Sequence, residues 1–152
     1  MKKLLGISLI SVVLDRIIKM IIVSLGFGNS ITVIKGFFNI TCMYNDGAAW
    51  SMLSGYRILL IIISIAELIV LYFVFIKGKK LKTIEIIIMG MLIGGIVGNL
   101  IDRIVYGYVI DYLDFNIFGY NFPIFNLADS LIVISVGLLV YAMCKGDIDV
   151  SK

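Results

Sequence analysis

Residues Phe125 to Ser135 read FNLADSLIVIS. From Leu131 the run turns apolar and stays so to Cys144, as a membrane-crossing helix would. Asn126 and Asp129 stand at its mouth, where burying polar groups and charge is costly. Asparagine is a good N-cap, and an acid three positions later suits the positive end of a helix dipole. Capping alone accounts for this stretch read in isolation, so the remainder of the chain has to decide whether it does more.

The chain has 152 residues, 61% of them hydrophobic, with one proline and no histidine. That apolar share exceeds what soluble domains carry and points to a membrane protein of one domain, spanning 1–152. Four stretches, about 4–25, 58–76, 84–105 and 126–144, approach the ~20 residues that cross a bilayer. The first is not a cleaved signal peptide: Asp15, Arg16 and Lys19 interrupt its apolar run, and no small-residue cleavage site follows. Lys2, Lys3, Lys77, Lys79, Lys80, Lys82, Lys145 and Lys152 fall on one side of these spans, against Lys35, Arg57 and Arg103 on the other. This bias predicts both termini in the cytoplasm and two outward loops, 26–57 and 106–125.

The fold expected is therefore an all-α membrane protein of four transmembrane helices carrying small additions on its outer face. Ser30 to Gly47 is rich in Ile, Val, Thr, Phe and Tyr and reads as two short strands turning near Lys35 and Gly36. Tyr106 to Phe115 is a third strand-like run. Together they predict a small β-platform on the outer leaflet, with Ala48 to Leu53 as a short interfacial helix and Trp50 at headgroup level. Gly90, Gly94 and Gly98, four apart, form a small-residue stripe for close helix packing. Glu67, midway along the second span, lies at the depth of Arg16 and predicts a buried ion pair with it, since a lone charge there costs at least ~2.5–3.5 kcal/mol.

The residue inventory excludes much chemistry. The two cysteines, Cys42 and Cys144, lie a bilayer apart, too far for a disulfide. Without histidine and with separated thiols, neither a zinc site nor a Ser–His or Cys–His nucleophile can be assembled, and no metal or cofactor is expected. The formal charge of +3 gives no reason to expect a nucleic-acid partner.

The polar residues outside the lysines collect at one depth. Asn45 and Asp46 lie in the first outer loop; Asn99, Asp102 and Arg103 share a face at the outer end of the third span; Asp111 and Asp114 follow in the second outer loop, then Asn126 and Asp129. Ionisable groups at a membrane boundary mark function by default. Asp111 alone could be an ordinary loop acid. Brought beside Asp129, it could share a proton, one carboxyl ionised and the other held neutral. That division serves an aspartic protease, in which one group activates water and the other supports the carbonyl oxygen.

At these residues the chain resembles lipoprotein signal peptidase (signal peptidase II), the bacterial intramembrane aspartic protease. The resemblance covers nearly the whole length and rests on ordered motifs: Asp15 and Lys19 in the first span, NDGAAWS at Asn45 to Ser51, GNLIDR at Gly98 to Arg103, VIDY at Val109 to Tyr112, and FNLAD at Phe125 to Asp129. It implies Asp111 and Asp129 as the catalytic pair. Asn45, Gly47, Asn99, Arg103 and Asn126 would shape the pocket, hold substrate or orient the acids, and Asp15 and Lys19 would support them. The implied substrate is a prolipoprotein carrying diacylglycerol on its lipobox cysteine, cut just before that cysteine. The resemblance also implies the bacterial inner membrane, an active site near the outer face, contact with membrane lipid, a monomer, and binding of the cyclic peptide globomycin. Trp50 and Tyr112 stand where the family more often has phenylalanine, and Glu67 lies outside its pattern. The competing classes are a four-span transporter using Glu67 or Asp15 as its coupling carboxylate, and a non-enzymatic assembly factor, which the paired aspartates argue against.

Overall fold

In the computed structural model, which describes residues 1–146, four long helices carry a small antiparallel sheet at one end. They are α1 (Lys2–Val23), α2 (Arg57–Leu71), α3 (Thr83–Val105) and α4 (Leu127–Cys144), with α2 continued by a π-helical turn at Tyr72–Ile76. Three segments, Arg57–Ile76, Thr83–Val105 and Leu127–Cys144, are long and apolar enough to cross a membrane. α1 is equally long at 22 residues but carries Asp15, Arg16 and Lys19 along its length. Lys152, counted in the charge bias, lies outside the described residues.

α3 is the central helix, packed on α1, α2 and α4. The glycine stripe is the reason α1 can approach it. A Cβ on Gly90 would lie 2.7 Å from the Ile7 side chain, and one on Gly98 would lie 2.8 Å from an Asp15 carboxylate oxygen. Gly95, on the opposite side, does the same for α4, where a Cβ would lie 2.6 Å from the Ala128 carbonyl oxygen. Below the polar level Leu71, Ile88, Met89, Leu92, Ile96 and Leu139 form the apolar core.

The expected ion pair between Glu67 and Arg16 is absent. Arg16 pairs with Asp102 of α3 instead. The cause is local charge balance: Arg16 and Lys19 on α1 outnumber Asp15, and Asp102 brings the cluster to neutrality. Lys19 completes it, its Nζ 2.9 Å from Asp15 and 2.7 Å from Asp102. Both Asp15 and Lys19 are 0% exposed, so α1 is bonded to α3 at this level rather than merely packed.

The sheet has the order β1 (Ser30–Ile34), β2 (Phe38–Asn45), β3 (Val109–Ile117) and β4 (Tyr120–Asn121), each pair antiparallel. The two strands expected around Lys35 and Gly36 are there, as is a third beginning near Val109. The interfacial helix is not. Only Ala49–Ser51 makes a single 3₁₀ turn, broken by Trp50 and Ser51 at φ of 54° and 55°. The loop closes on itself: the Ala48 N–H donates to the Met52 carbonyl at 2.7 Å, and the Asp46 carboxylate accepts from Ser54 and the Gly55 N–H. Cys42 is buried, Cys144 exposed, and both are free thiols.

Candidate active site

β3 leaves the end of α3 and runs beside β2, which puts Asp111 opposite Met43 and Val109 opposite Asn45. The chain then turns through β4 and comes back. Phe125 lies against Leu113, exchanging backbone hydrogen bonds of 2.7 and 3.2 Å with it. This return places Asn126, the next residue, beside Asp111. α4 starts at once, and its first turn carries Asp129.

Asn126 holds both acids. Its side-chain Nδ2 donates to Asp111 Oδ1 at 2.7 Å. Its Oδ1 accepts the Asp129 N–H at 2.9 Å, and its own N–H donates to Asp129 Oδ2 at 3.1 Å, a reciprocal N-cap. Capping is therefore real, and the same residue also bonds the second aspartate. Asn126 is 0% exposed.

The remaining donors are amides too. Asn45 Nδ2 donates to Asp111 Oδ2 at 2.9 Å, while its Oδ1 accepts the Gly47 N–H, also at 2.9 Å. Asn99 Nδ2 donates to Asp129 Oδ1 at 2.7 Å. Asn99 is itself oriented from behind: Lys19 Nζ donates to its Oδ1 at 2.9 Å. Asp15 accepts the Ala128 N–H at 3.2 Å, fixing the start of α4. Arg103 donates to the Gly47 carbonyl at 3.1 Å, tying the first loop to α3. Gly47 admits no side chain, because a Cβ there would lie 2.5 Å from the Met52 carbonyl oxygen. Burial, reinforced by the negative charge of Asp129, pushes the Asp111 carboxyl up to about 7.

The residues singled out from sequence divide into two layers. Asp111, Asp129, Asn45, Asn99 and Arg103 line one cleft of about 670 Å³, with Asn126 buried behind the two acids. Asp15, Lys19 and Gly47 stand behind them as supports. Asn99, Asp102 and Arg103 do not act as one face: Asn99 turns to Asp129, Asp102 to α1 and Arg103 to the first loop. Two residues named in the sequence have roles that it did not assign. Asp102 anchors both α1 cations, and the surplus positive charge of Asp15, Arg16 and Lys19 taken together was the signal for it. Tyr112 accepts the Leu127 N–H on its hydroxyl at 3.0 Å, which nothing in the sequence announced. Burial pushes that phenol up to about 12, so it stays neutral.

A buried and a half-buried carboxyl group, with amide donors on every oxygen, at the head of an apolar cleft, can polarise a water and a carbonyl without a metal. Comparison with known proteins points the same way. The family model described as signal peptidase (SPase) II matches residues 7–145. Lipoprotein signal peptidases of Staphylococcus aureus strains JH9 and Newman are each 44% identical over 140 residues, covering 91% of this chain and 86% of theirs. Two solved structures, both titled as a bacterial membrane enzyme, are each 41% identical to it. One gives a TM-score of 0.87 over 95% of this chain and 89% of its own, the other 0.83 over 94% and 93%.

Proposed function

The chain belongs to the signal peptidase II family, and we propose that it removes signal peptides from prolipoproteins with Asp111 and Asp129 as its two working carboxyl groups. The observation that carries this assignment is Asn126, whose side chain and backbone bond both acids at once. A water between the two loses a proton to the ionised carboxylate and attacks the scissile carbonyl. The neutral partner donates a hydrogen bond to the carbonyl oxygen as it gains charge. Collapse of the tetrahedral intermediate breaks the C–N bond, and the proton passes to the leaving amine. We assign the shared proton at rest to Asp111, whose carboxyl is raised to about 7. Asp129 is then the carboxylate, at the positive end of α4.

The surrounding arrangement is part of the same proposal. The chain forms one multi-pass domain in a bacterial inner membrane, with α1 as a fourth span, both termini cytoplasmic and the sheet and dyad on the outer side. The neutral Asp15–Arg16–Lys19–Asp102 cluster supports α1 as a span, because it removes the net charge that would oppose insertion. The substrate carries diacylglycerol on its cysteine; its chains lie against membrane lipid while the peptide occupies the cleft. The enzyme works as a monomer and binds globomycin-type cyclic peptides. The transporter reading loses Asp15, which is held by Lys19 and the Ala128 N–H.

The test is cleavage of a diacylglyceryl prolipoprotein in detergent, followed as a mobility shift. Asp111→Asn and Asp129→Asn should each abolish turnover while the protein inserts and purifies normally. Wild-type rates in either variant would remove that acid from the reaction.

A further inference from the structure

Two polar side chains in the cleft have no part in the chemistry above. Ser64 and Glu67 stand three positions apart on α2 and both line the cleft. Ser64 is only 7% exposed. Among the described residues its hydroxyl makes no hydrogen bond, not even to the carbonyl one turn back that Ser8 uses on α1. Glu67 feels the field of the Arg103 guanidinium, yet its carboxylate has neither a hydrogen bond nor a close ion pair among the described residues. They share the cleft with the apolar Leu60, Ile63, Ile96 and Val133 and with the polar Asn99 and Arg103, and Glu67 itself is exposed. Glu67 is ten residues into α2, ~15 Å along the helix from its outer end. An acid and a hydroxyl left unbonded at that depth are costly, and the cost is relieved when a ligand supplies the missing partners.

The substrate has the matching deficit. A signal peptide that crosses the bilayer as a helix must unwind to present an extended bond to the acids. Unwinding strips its N–H and C=O groups of their helical partners in a medium without water. On a helix, side chains three apart have Cβ atoms ~5–6 Å from each other. Along one edge of an extended chain, backbone groups recur every two residues, roughly 6.5 Å. The two spacings are close enough for one strand edge to meet both side chains.

We infer that Ser64 and Glu67 form a subsite that binds the backbone of the unwound signal peptide on the N-terminal side of the scissile bond. This rests on the protease reading above. The carboxylate of Glu67 accepts a peptide N–H, and the hydroxyl of Ser64 donates to a peptide carbonyl. The contact is made equally in ground and transition states, so it acts on binding rather than on the chemical step.

The experiment measures KM and kcat for a diacylglyceryl prolipoprotein with Ser64→Ala, Glu67→Leu and Glu67→Gln. Ser64→Ala and Glu67→Leu should raise KM about five- to tenfold with kcat within twofold, and Glu67→Gln, which keeps an acceptor, should stay near wild type. Both failing variants remove polarity from a span, so insertion is not at risk. A second substrate, with an all-Leu/Ala signal segment, should show the same rise, because its backbone is unchanged. Unaltered KM in both variants overturns the subsite. A rise that disappears with the all-Leu/Ala segment also overturns it, since the partner would then be a side chain. The two readings fail separately: cleavage surviving in Asp129→Asn removes the dyad, whereas unaltered KM alongside inactive dyad variants removes only the subsite.

Discussion

Lys19→Met tests how the charge cluster behind the site supports it. Lys19 is wholly buried and donates to Asp15, Asp102 and Asn99 at 2.7–2.9 Å. With Arg16 the cluster is neutral; without Lys19 it keeps a buried net charge of −1. Removing one partner of a buried ion pair costs about 3–5 kcal/mol, mostly because the other charge is left uncompensated. For a chain of this size that corresponds to a loss on the order of 10 °C in Tm. Asp15→Asn combined with Lys19→Met restores neutrality and keeps an oxygen to accept the Ala128 N–H. The double variant should recover most of the lost stability in detergent. Activity should not return with it. Lys19 donates to Asn99 Oδ1 and so keeps Nδ2 turned to Asp129. Without that bond the amide can rotate and face the acid with its oxygen. Thermal unfolding and prolipoprotein cleavage on the two single variants and the double give the full cycle. A double variant as unstable as the sum of the singles would refute the charge argument. One that is stable and fully active would refute the orienting role.

Three further outcomes follow from the geometry. Turnover should fall as pH rises through about 7, because Asp111 is then losing the proton that the mechanism needs; the folded state binds that proton more tightly than the unfolded chain, so stability should also decline between pH ~4 and about 7, and Asp111→Asn should flatten this stability slope. A pH–rate profile with no alkaline limb near 7 would contradict the assignment of the proton. Gly98→Ala would force a Cβ to 2.8 Å from Asp15 and should cost ~1–3 kcal/mol in thermal unfolding, whereas Gly6→Ala, where nothing lies within 4 Å, should be neutral or slightly stabilising. Tyr112→Phe leaves the Leu127 N–H without its acceptor and should cost ~1–3 kcal/mol, with a matching loss of activity as the start of α4 loosens.

Hydrophobic runs and glycine spacing made the long helices and a close-packing face on α3 legible, because both depend on patterns local to one segment. The strands around Lys35 and Gly36 were legible for the same reason. What could not be read was pairing between distant segments. Depth matching put Glu67 opposite Arg16, yet depth says nothing about which side of a helix a residue occupies, and Asp102 was the nearer partner. The expected helix at Ala48 to Leu53 yielded to backbone closure between Ala48 and Met52, a contact no periodicity encodes. Asp111 and Asp129 are brought together by the Phe125–Leu113 bridge, which reverses the chain after β4. Their motifs singled them out without indicating how they meet.

The composition of the inner layer has a physical logic of its own. Among the described residues, every hydrogen bond to the Asp111 or Asp129 carboxyl comes from a side-chain amide, of Asn45, Asn99 or Asn126, or from the backbone N–H of Asn126. The cations stand one step back. Lys19 reaches Asp129 through Asn99, and Arg103 bonds the Gly47 carbonyl instead of either acid. A cation in direct contact would favour two carboxylates, and a pair that is fully ionised has no proton to share. Amides fix position and supply donors without adding charge, which is what the proposed sharing of one proton between the two acids requires. The charged side chains serve where full ionisation is wanted, in the Asp15–Arg16–Lys19–Asp102 cluster that fastens α1 to α3. Asn99 is the junction of the two layers: it accepts from the cation on one side and donates to the acid on the other. It thereby transmits orientation from the cluster to the dyad while keeping the cation out of contact with it.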